Sequence, residues 1–177
     1  MKRIDIKDIT FLIPIRLDSI VRLENLILSI DYLYKHFCCN IIVVEASNYD
    51  SLIANRLVSP KATYIHIEDF DNIFYRTKYI NYLTQLSATK YIAIWDADII
   101  ISKEQIVQAL HLLNEGVEVV FPYDGRFYDT SEILREIYIN KIAKEYKISK
   151  EAIYAEVNKL MYKDNQGSKK QKKRVVT

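Results

Sequence analysis

The stretch Tyr91–Ile100, YIAIWDADII, decides the fold. Five nearly continuous apolar residues end at two aspartates, Asp96 and Asp98, one residue apart. A short, β-branched and aromatic run of this kind reads as a strand covered on both faces. A buried, unpaired carboxylate costs several kcal/mol, so the two acids need a cation, a donor array or open solvent in front of them. The stretch therefore predicts a buried strand whose carboxyl end opens onto a site.

Similar runs precede it. ITFLIPI (Ile9–Ile15), NIIVVEA (Asn40–Ala46) and ATYIHIE (Ala62–Glu68) read as strands, KYIAIW (Lys90–Trp95) is the fourth, and VEVVFP (Val117–Pro122) is expected as a fifth. Between them, Asp18–His36, Tyr49–Val58, Ile73–Ala88 and Lys103–Glu115 carry apolar residues at a spacing near 3.6. In the first of these Ile20, Leu23, Leu26, Ile27, Ile30 and Tyr34 form one stripe. Strands alternating with helices predict an α/β fold with a mostly parallel wound sheet. After Pro122 comes a polar aromatic loop, YDGRFYD, and then a helical pattern from Ser131 to about Met161.

Composition narrows the chemistry. The chain has 177 residues, the size of one domain, and only three glycines, Gly116, Gly125 and Gly167, too far apart for a P-loop or a dinucleotide-binding loop. The net charge of +2 conceals a basic end: from Lys163 onward there are six basic residues and one acid, leaving about −3 for residues 1–162. That cluster alone is weak support for a nucleic-acid or membrane surface, and no nucleic-acid partner is expected. Cys38 and Cys39 are neighbours that the geometry of a disulfide disfavours, so they read as apolar filler in a reducing, cytoplasmic setting. No run is long enough for a transmembrane segment, and the N-terminus has no signal-peptide pattern. His36, His66 and His111 are too scattered for a zinc site or a histidine triad.

In an open parallel sheet, ligands bind beyond the carboxyl ends of the strands, where Asp96 and Asp98 fall. Residues two apart in an extended chain share a side, so both carboxylates are expected to face one ligand. Hard oxygen donors of this type suit Mn²⁺ or Mg²⁺, which take one or two protein carboxylates and complete their shell with phosphate and water. The structural alternative is that Asp96 caps a turn and Asp98 the next helix.

Four ordered motifs, TFLIPIR with Arg22 and ENL after it, NIIVVEAS, FYRTKYIN and YIAIWDADII, span residues 9–101. Together they resemble the nucleotide-binding half of a GT-A fold glycosyltransferase of the inverting family 2 type, with its galactosyltransferase and chondroitin-polymerase-like relatives. The resemblance implies a Rossmann-like nucleotide-sugar-binding domain over residues 1–130; the residue pattern adds a helical extension over 131–163 and, where no apolar pattern remains, a basic, disordered tail over 164–177. It implies that Pro14, Ile15 and Arg16 form a first loop along the nucleotide, that Glu45 approaches the uridine, and that Arg76 covers the base and diphosphate. It further implies that Asp96 lies near ribose and metal and that Asp98 is the direct metal ligand. The activity implied is transfer of a sugar from a UDP-sugar to a hydroxyl of a glycan or similar acceptor. An inverting enzyme also needs a carboxylate base; the family's Gly-rich acceptor segment and acidic pair are missing, and Asp124 and Asp129 are the remaining candidates, with loop solvation as their other role. Asp69 and Asp71 read as turn residues. A non-catalytic nucleotide-sugar-binding module stays open. So does a sugar nucleotidyltransferase, although PIRLDS replaces its glycine-rich loop, and a phosphatase with an Asp-X-Asp, although Ile100 stands where it carries Thr or Val.

Overall fold

In the computed structural model, residues 2–50, 52–123, 125, 136, 137, 140, 141, 143–145, 147, 149, 151 and 152 are described. Four strands alternate with four helices: β1 (Ile4–Ile15), α1 (Ile20–His36), β2 (Phe37–Ser47), α2 (Leu52–Val58), β3 (Thr63–Glu68), α3 (Arg76–Leu86), β4 (Tyr91–Ile94) and α4 (Lys103–Asn114). All pairings are parallel and the order is β3-β2-β1-β4. The chain is thus an α/β protein with a Rossmann-like, all-parallel four-stranded sheet.

β1 and β2 are apolar on both sides because both sides are covered, whereas β4, expected to be a buried strand, has no buried residue: it lies at the edge of the sheet, and Ile92 and Ile94 are 41% and 51% exposed. Odd-numbered residues of β1 and β2, such as Phe11, Ile13, Ile41 and Val43, pack with Leu23, Leu26, Ile27 and Ile30 of α1, Ile53 and Leu57 of α2 and Ile106 of α4. Even-numbered Leu12, Ile42, Val44 and Ala46 pack against Tyr79 and Leu83 of α3. The α1 stripe runs through Leu33 rather than Tyr34; Tyr34 is exposed, with the Arg3 guanidinium 4.4 Å above its ring. β1 and β2 begin earlier than expected, at Ile4 and Phe37, and a register shift between Asp5 and Thr10 separates the added residues from the central ladder.

The expected fifth strand does not form. Residues 117–122 make no sheet pairing among the described residues, and Val119 and Phe121 are 68% and 82% exposed. Val120–Tyr123 instead line a groove of about 240 Å³ beside Gln105, Gln108, Ala109 and Leu112 of α4. β-Branched composition favours a pleated surface only where a partner edge is in reach, and Pro122 offers no amide donor. Of the helix expected from Ser131 to about Met161, residues 136, 137, 140, 141, 143–145, 151 and 152 are helical, whereas Lys147, with φ 53°, lies in a turn and Ser149 is not helical; its other positions lie outside the described residues.

Candidate functional site

The strand order reverses direction between β1 and β4, since β2 and β3 lie to one side of β1 and β4 to the other. A parallel sheet opens a crevice at such a switch point, beyond its carboxyl edge. The opening is visible in the register: β1 pairs with β4 only as far as Leu12 opposite Ile94, with Trp95 N–H donating to Leu12 O at 3.0 Å, whereas it stays paired with β2 as far as Ile15 opposite Glu45. Pro14 therefore sits where only one neighbour flanks the strand, a position that tolerates its missing N–H. Pro14 and Ile15, expected in the first loop, are buried strand residues instead, because the β2 ladder carries β1 past the end of β4. The loop starts at Arg16.

β4 ends at Ile94, and the acidic pair lies in a turn closed by the Ile99 N–H donating to Asp96 O at 3.3 Å. The expected same-side arrangement assumed an extended chain, so that geometric argument fails: Ala97 and Asp98 are the central residues of the turn. The turn is held from both sides by α1. Ser29, buried within the helix's apolar face, accepts from Trp95 Nε1 at 2.8 Å and donates to Ile99 O at 3.3 Å. Tyr32 OH donates to Ile101 O at 2.7 Å, and burial followed by the charge of Glu104 pushes its hydroxyl pKa up, which keeps the proton in place. Beyond the loop, Ser102 and Gln105 close a capping box that starts α4. Ser102, and not Asp98, caps that helix.

Sequence reasoning missed Ser29; its signal is a small polar residue between the apolar positions Ile27 and Ile30. Ser29→Ala leaves a buried indole N–H without its acceptor, and a loss of about 2 kcal/mol in urea unfolding is expected. A loss under about 0.5 kcal/mol would place the bracing elsewhere.

Two arginines approach the crevice differently. Arg76, the first residue of α3, donates from Nη2 to Asp96 Oδ1 at 2.5 Å, and the two side chains are 44% and 49% exposed. Arg16 is committed inside the protein. Its Nε donates to Ala46 O at 2.8 Å, Nη1 to Asp71 O at 2.7 Å and Nη2 to Asp69 Oδ2 at 3.1 Å. Asp69 also accepts from Tyr79 OH and, at 2.9 Å, from the Asp71 N–H. Phe74 stacks on Tyr79 with ring centroids 5.3 Å apart, and the Arg16 guanidinium lies 5.6 Å from the Phe74 ring. Asp69 and Asp71, read as turn residues, thus fasten the β3–α3 loop to β1.

Burial alone would raise the Asp69 carboxyl, but the hydrogen bonds from Tyr79 and the Asp71 N–H and the charges of Arg16 and Lys78 reverse that and hold it below its ordinary 3.8. Burial, then the hydrogen bond to Asp69, pushes the Tyr79 hydroxyl up to about 12. The folded state binds fewer protons at Asp69 than the unfolded chain, so this stabilisation is complete above the ordinary carboxylate value and is lost as pH falls through the folded one. Tyr79 behaves oppositely: its contribution is complete below 10.0 and declines as pH rises towards about 12. The urea midpoint of Asp69→Asn is expected to fall less steeply than that of the native protein between about pH 4 and 2. Parallel acid limbs would remove the assignment.

Glu45 lies on the sheet face opposite Arg76. It is fully buried, and its carboxylate accepts from Ser47 Oγ at 3.1 Å and from the Tyr64 hydroxyl, whose pKa is pushed up first by burial and then by the Glu45 charge. Asp124 and Asp129 lie outside the described residues. Among the described residues, the structure brings together Arg76, Asp96 and Asp98 after β4 and at the start of α3, keeps Arg16 as a brace beneath the β3–α3 loop, and does not add Glu45 to that group.

Among the described residues no group of three or more His, Cys, Asp or Glu is arranged to hold a metal by itself. Asp98 is exposed and makes no hydrogen bond or ion pair among them, and Asp96 has one oxygen engaged by Arg76. Two hard oxygen donors at an open edge fit a Mg²⁺ or Mn²⁺ ion that completes its shell with phosphate and water, and do not fit a closed structural site. A larger cavity, about 590 Å³, lies at the amino end of the sheet. Several of its lining polar groups are engaged with the protein: Thr10 with Thr89 at 2.7 Å, Ser87 with Thr89 at 3.1 Å and Lys61 with Asp31 at 2.6 Å.

No described helix is long and apolar enough to cross a membrane. No family model matches the chain, and no curated protein matches it.

Proposed function

We propose that the protein binds a nucleotide diphosphate sugar, probe compound UDP, together with Mn²⁺ or Mg²⁺ at the β1/β4 switch point, and transfers the sugar to a glycan-type hydroxyl with inversion. The observation that carries this reading is the exposed Asp98 carboxylate, without a hydrogen bond or ion pair among the described residues, beside the Arg76–Asp96 pair at the open carboxyl edge of β4. Asp98 and the free oxygen of Asp96 would hold the ion. When bound, a divalent ion offsets the charge that grows on a departing diphosphate.

The chain's own residues supply the rest. Ser29, Trp95 and Tyr32 fix the acidic turn before any ligand arrives, so little ordering is required on binding. Arg76 brings a permanent cation with several donors to the place where diphosphate oxygens would sit. The Arg16–Asp69–Tyr79 network holds the loop that leads into α3. The four ordered motifs from residue 9 to 101 support the sugar-transfer reading. The base that accepts the acceptor's proton is unassigned; Asp124 and Asp129, the candidates named from the sequence, lie outside the described residues.

The test is calorimetric titration with UDP in the presence and absence of Mn²⁺, followed by detection of UDP release from UDP-sugars offered with glycan acceptors. Binding that needs Mn²⁺, and UDP release that needs acceptor, are expected. Absence of Mn²⁺-dependent UDP binding overturns the reading; binding with no release identifies a nucleotide-sugar-binding module, and phosphate release from simple esters a phosphatase.

A further inference from the structure

The Arg76–Asp96 pair places a cation where the proposed metal ion would bind, and both side chains are about half exposed. A guanidinium stays charged at any working pH, so it cannot yield the carboxylate by losing a proton; it has to move or repel the incoming ion. It is well placed to move. Arg76 is the first residue of α3, its N-cap Tyr75 makes no side-chain capping bond, and its side chain makes no other hydrogen bond among the described residues. A solvent-exposed pair of this type is held weakly enough to be exchanged.

We propose that Arg76 exchanges partners during ligand binding. In the free protein it neutralises Asp96; when Asp96 and Asp98 hold a divalent cation, Arg76 would leave Asp96 and its guanidinium would donate to the diphosphate that accompanies the ion. This rests on the metal-dependent diphosphate binding proposed above and adds its order: the ion alone binds poorly because Arg76 competes with it, and ion plus diphosphate bind well because the same arginine then has an anion to serve. Arg76 is in this sense both an internal competitor of the metal and a ligand of the diphosphate.

Removing the guanidinium therefore has effects of opposite sign on two affinities, which loss of a merely structural contact does not produce. For Arg76→Gln, Mn²⁺ alone, followed by the paramagnetic resonance of the free ion, is expected to bind about fivefold more tightly, the scale of an exposed ion pair. UDP titrated at saturating Mn²⁺ is expected to bind roughly tenfold more weakly, the scale of one charge-assisted contact. Arg76→Lys keeps the charge without the fork and should fall between the native protein and Arg76→Gln in both titrations. Native protein that binds Mn²⁺ with UDP through Asp98, together with an Arg76→Gln variant in which both affinities fall or Mn²⁺ alone is unmoved, overturns the exchange and leaves the binding site standing. Native protein that binds neither Mn²⁺ nor Mn²⁺ with UDP removes the site and the exchange together.

Discussion

Asp98→Ala is expected to weaken the proposed Mn²⁺-dependent binding of UDP severely while leaving the protein as stable as before. Both halves of this expectation follow from the position of the residue. Asp98 is exposed in the turn after β4 and has no hydrogen bond or ion pair among the described residues, so its removal breaks no internal contact. Surface substitutions of this kind stay within about 0.5 kcal/mol. For the proposed ion the carboxylate would be one of two protein donors among the described residues, and the second, Asp96, is shared with Arg76. Losing Asp98 leaves half a carboxylate, which a hydrated Mn²⁺ ion has little reason to prefer over water. A fall of at least about a hundredfold in affinity for UDP at fixed Mn²⁺ is expected, equivalent to about 2.7 kcal/mol. Calorimetry of the native and variant proteins, with and without Mn²⁺, measures it. A variant that keeps its Mn²⁺-dependent heat, or one that loses it along with its folded baseline, removes Asp98 as the ligand.

The framework of the fold was legible because its signals are local. Runs such as FLIPI (residues 11–15) and IIVV (residues 41–44) are apolar at every position, as strands covered on both faces tend to be, so the parallel sheet follows from composition and length. The 3.6 spacing of Leu23, Leu26, Ile27 and Ile30 likewise marks the buried face of α1. What could not be read depends on partners distant in sequence. VEVVFP has the composition of a strand, but whether it pairs depends on an edge being presented to it. That Asp96 and Asp98 fall just beyond the carboxyl end of β4 was readable, whereas the turn that holds them was not. A period-two argument holds only while the chain stays extended, and the Asp96 carbonyl turns it back. Arg16 and Arg76 are alike in sequence, each at the boundary of an apolar run; only the tertiary structure shows that one is bound by three internal acceptors and the other points at a carboxylate in solvent.

That difference makes Arg16→Ala a substitution of stability first. The side chain is only 12% exposed and its partner Asp69 8%, so the pair is held well away from water. Truncation removes three donors at once, one from Ala46 O of β2 and two from Asp71 O and Asp69 Oδ2, and the last two tie the β3–α3 loop to the end of β1. The Asp69 carboxylate then remains buried with Tyr79 OH and the Asp71 N–H as its donors but without its nearest positive charge. Breaking one side of a buried ion pair costs 3–5 kcal/mol, and because two donors survive the expectation here is about 3 kcal/mol, read from urea midpoints with an unchanged m-value. Arg16→Lys does not rescue it: an ammonium on a flexible stem cannot serve three acceptors that lie in different directions, and it is expected to recover less than half the loss. The acid limb of the stability curve moves as well, because without the guanidinium one of the charges holding Asp69 below its ordinary value is gone and its protonation begins at higher pH. If Arg16 served the nucleotide directly, Arg16→Ala would weaken UDP binding with no change in the urea midpoint; a loss of under about 0.5 kcal/mol with weakened binding would move Arg16 from the brace to the binding surface.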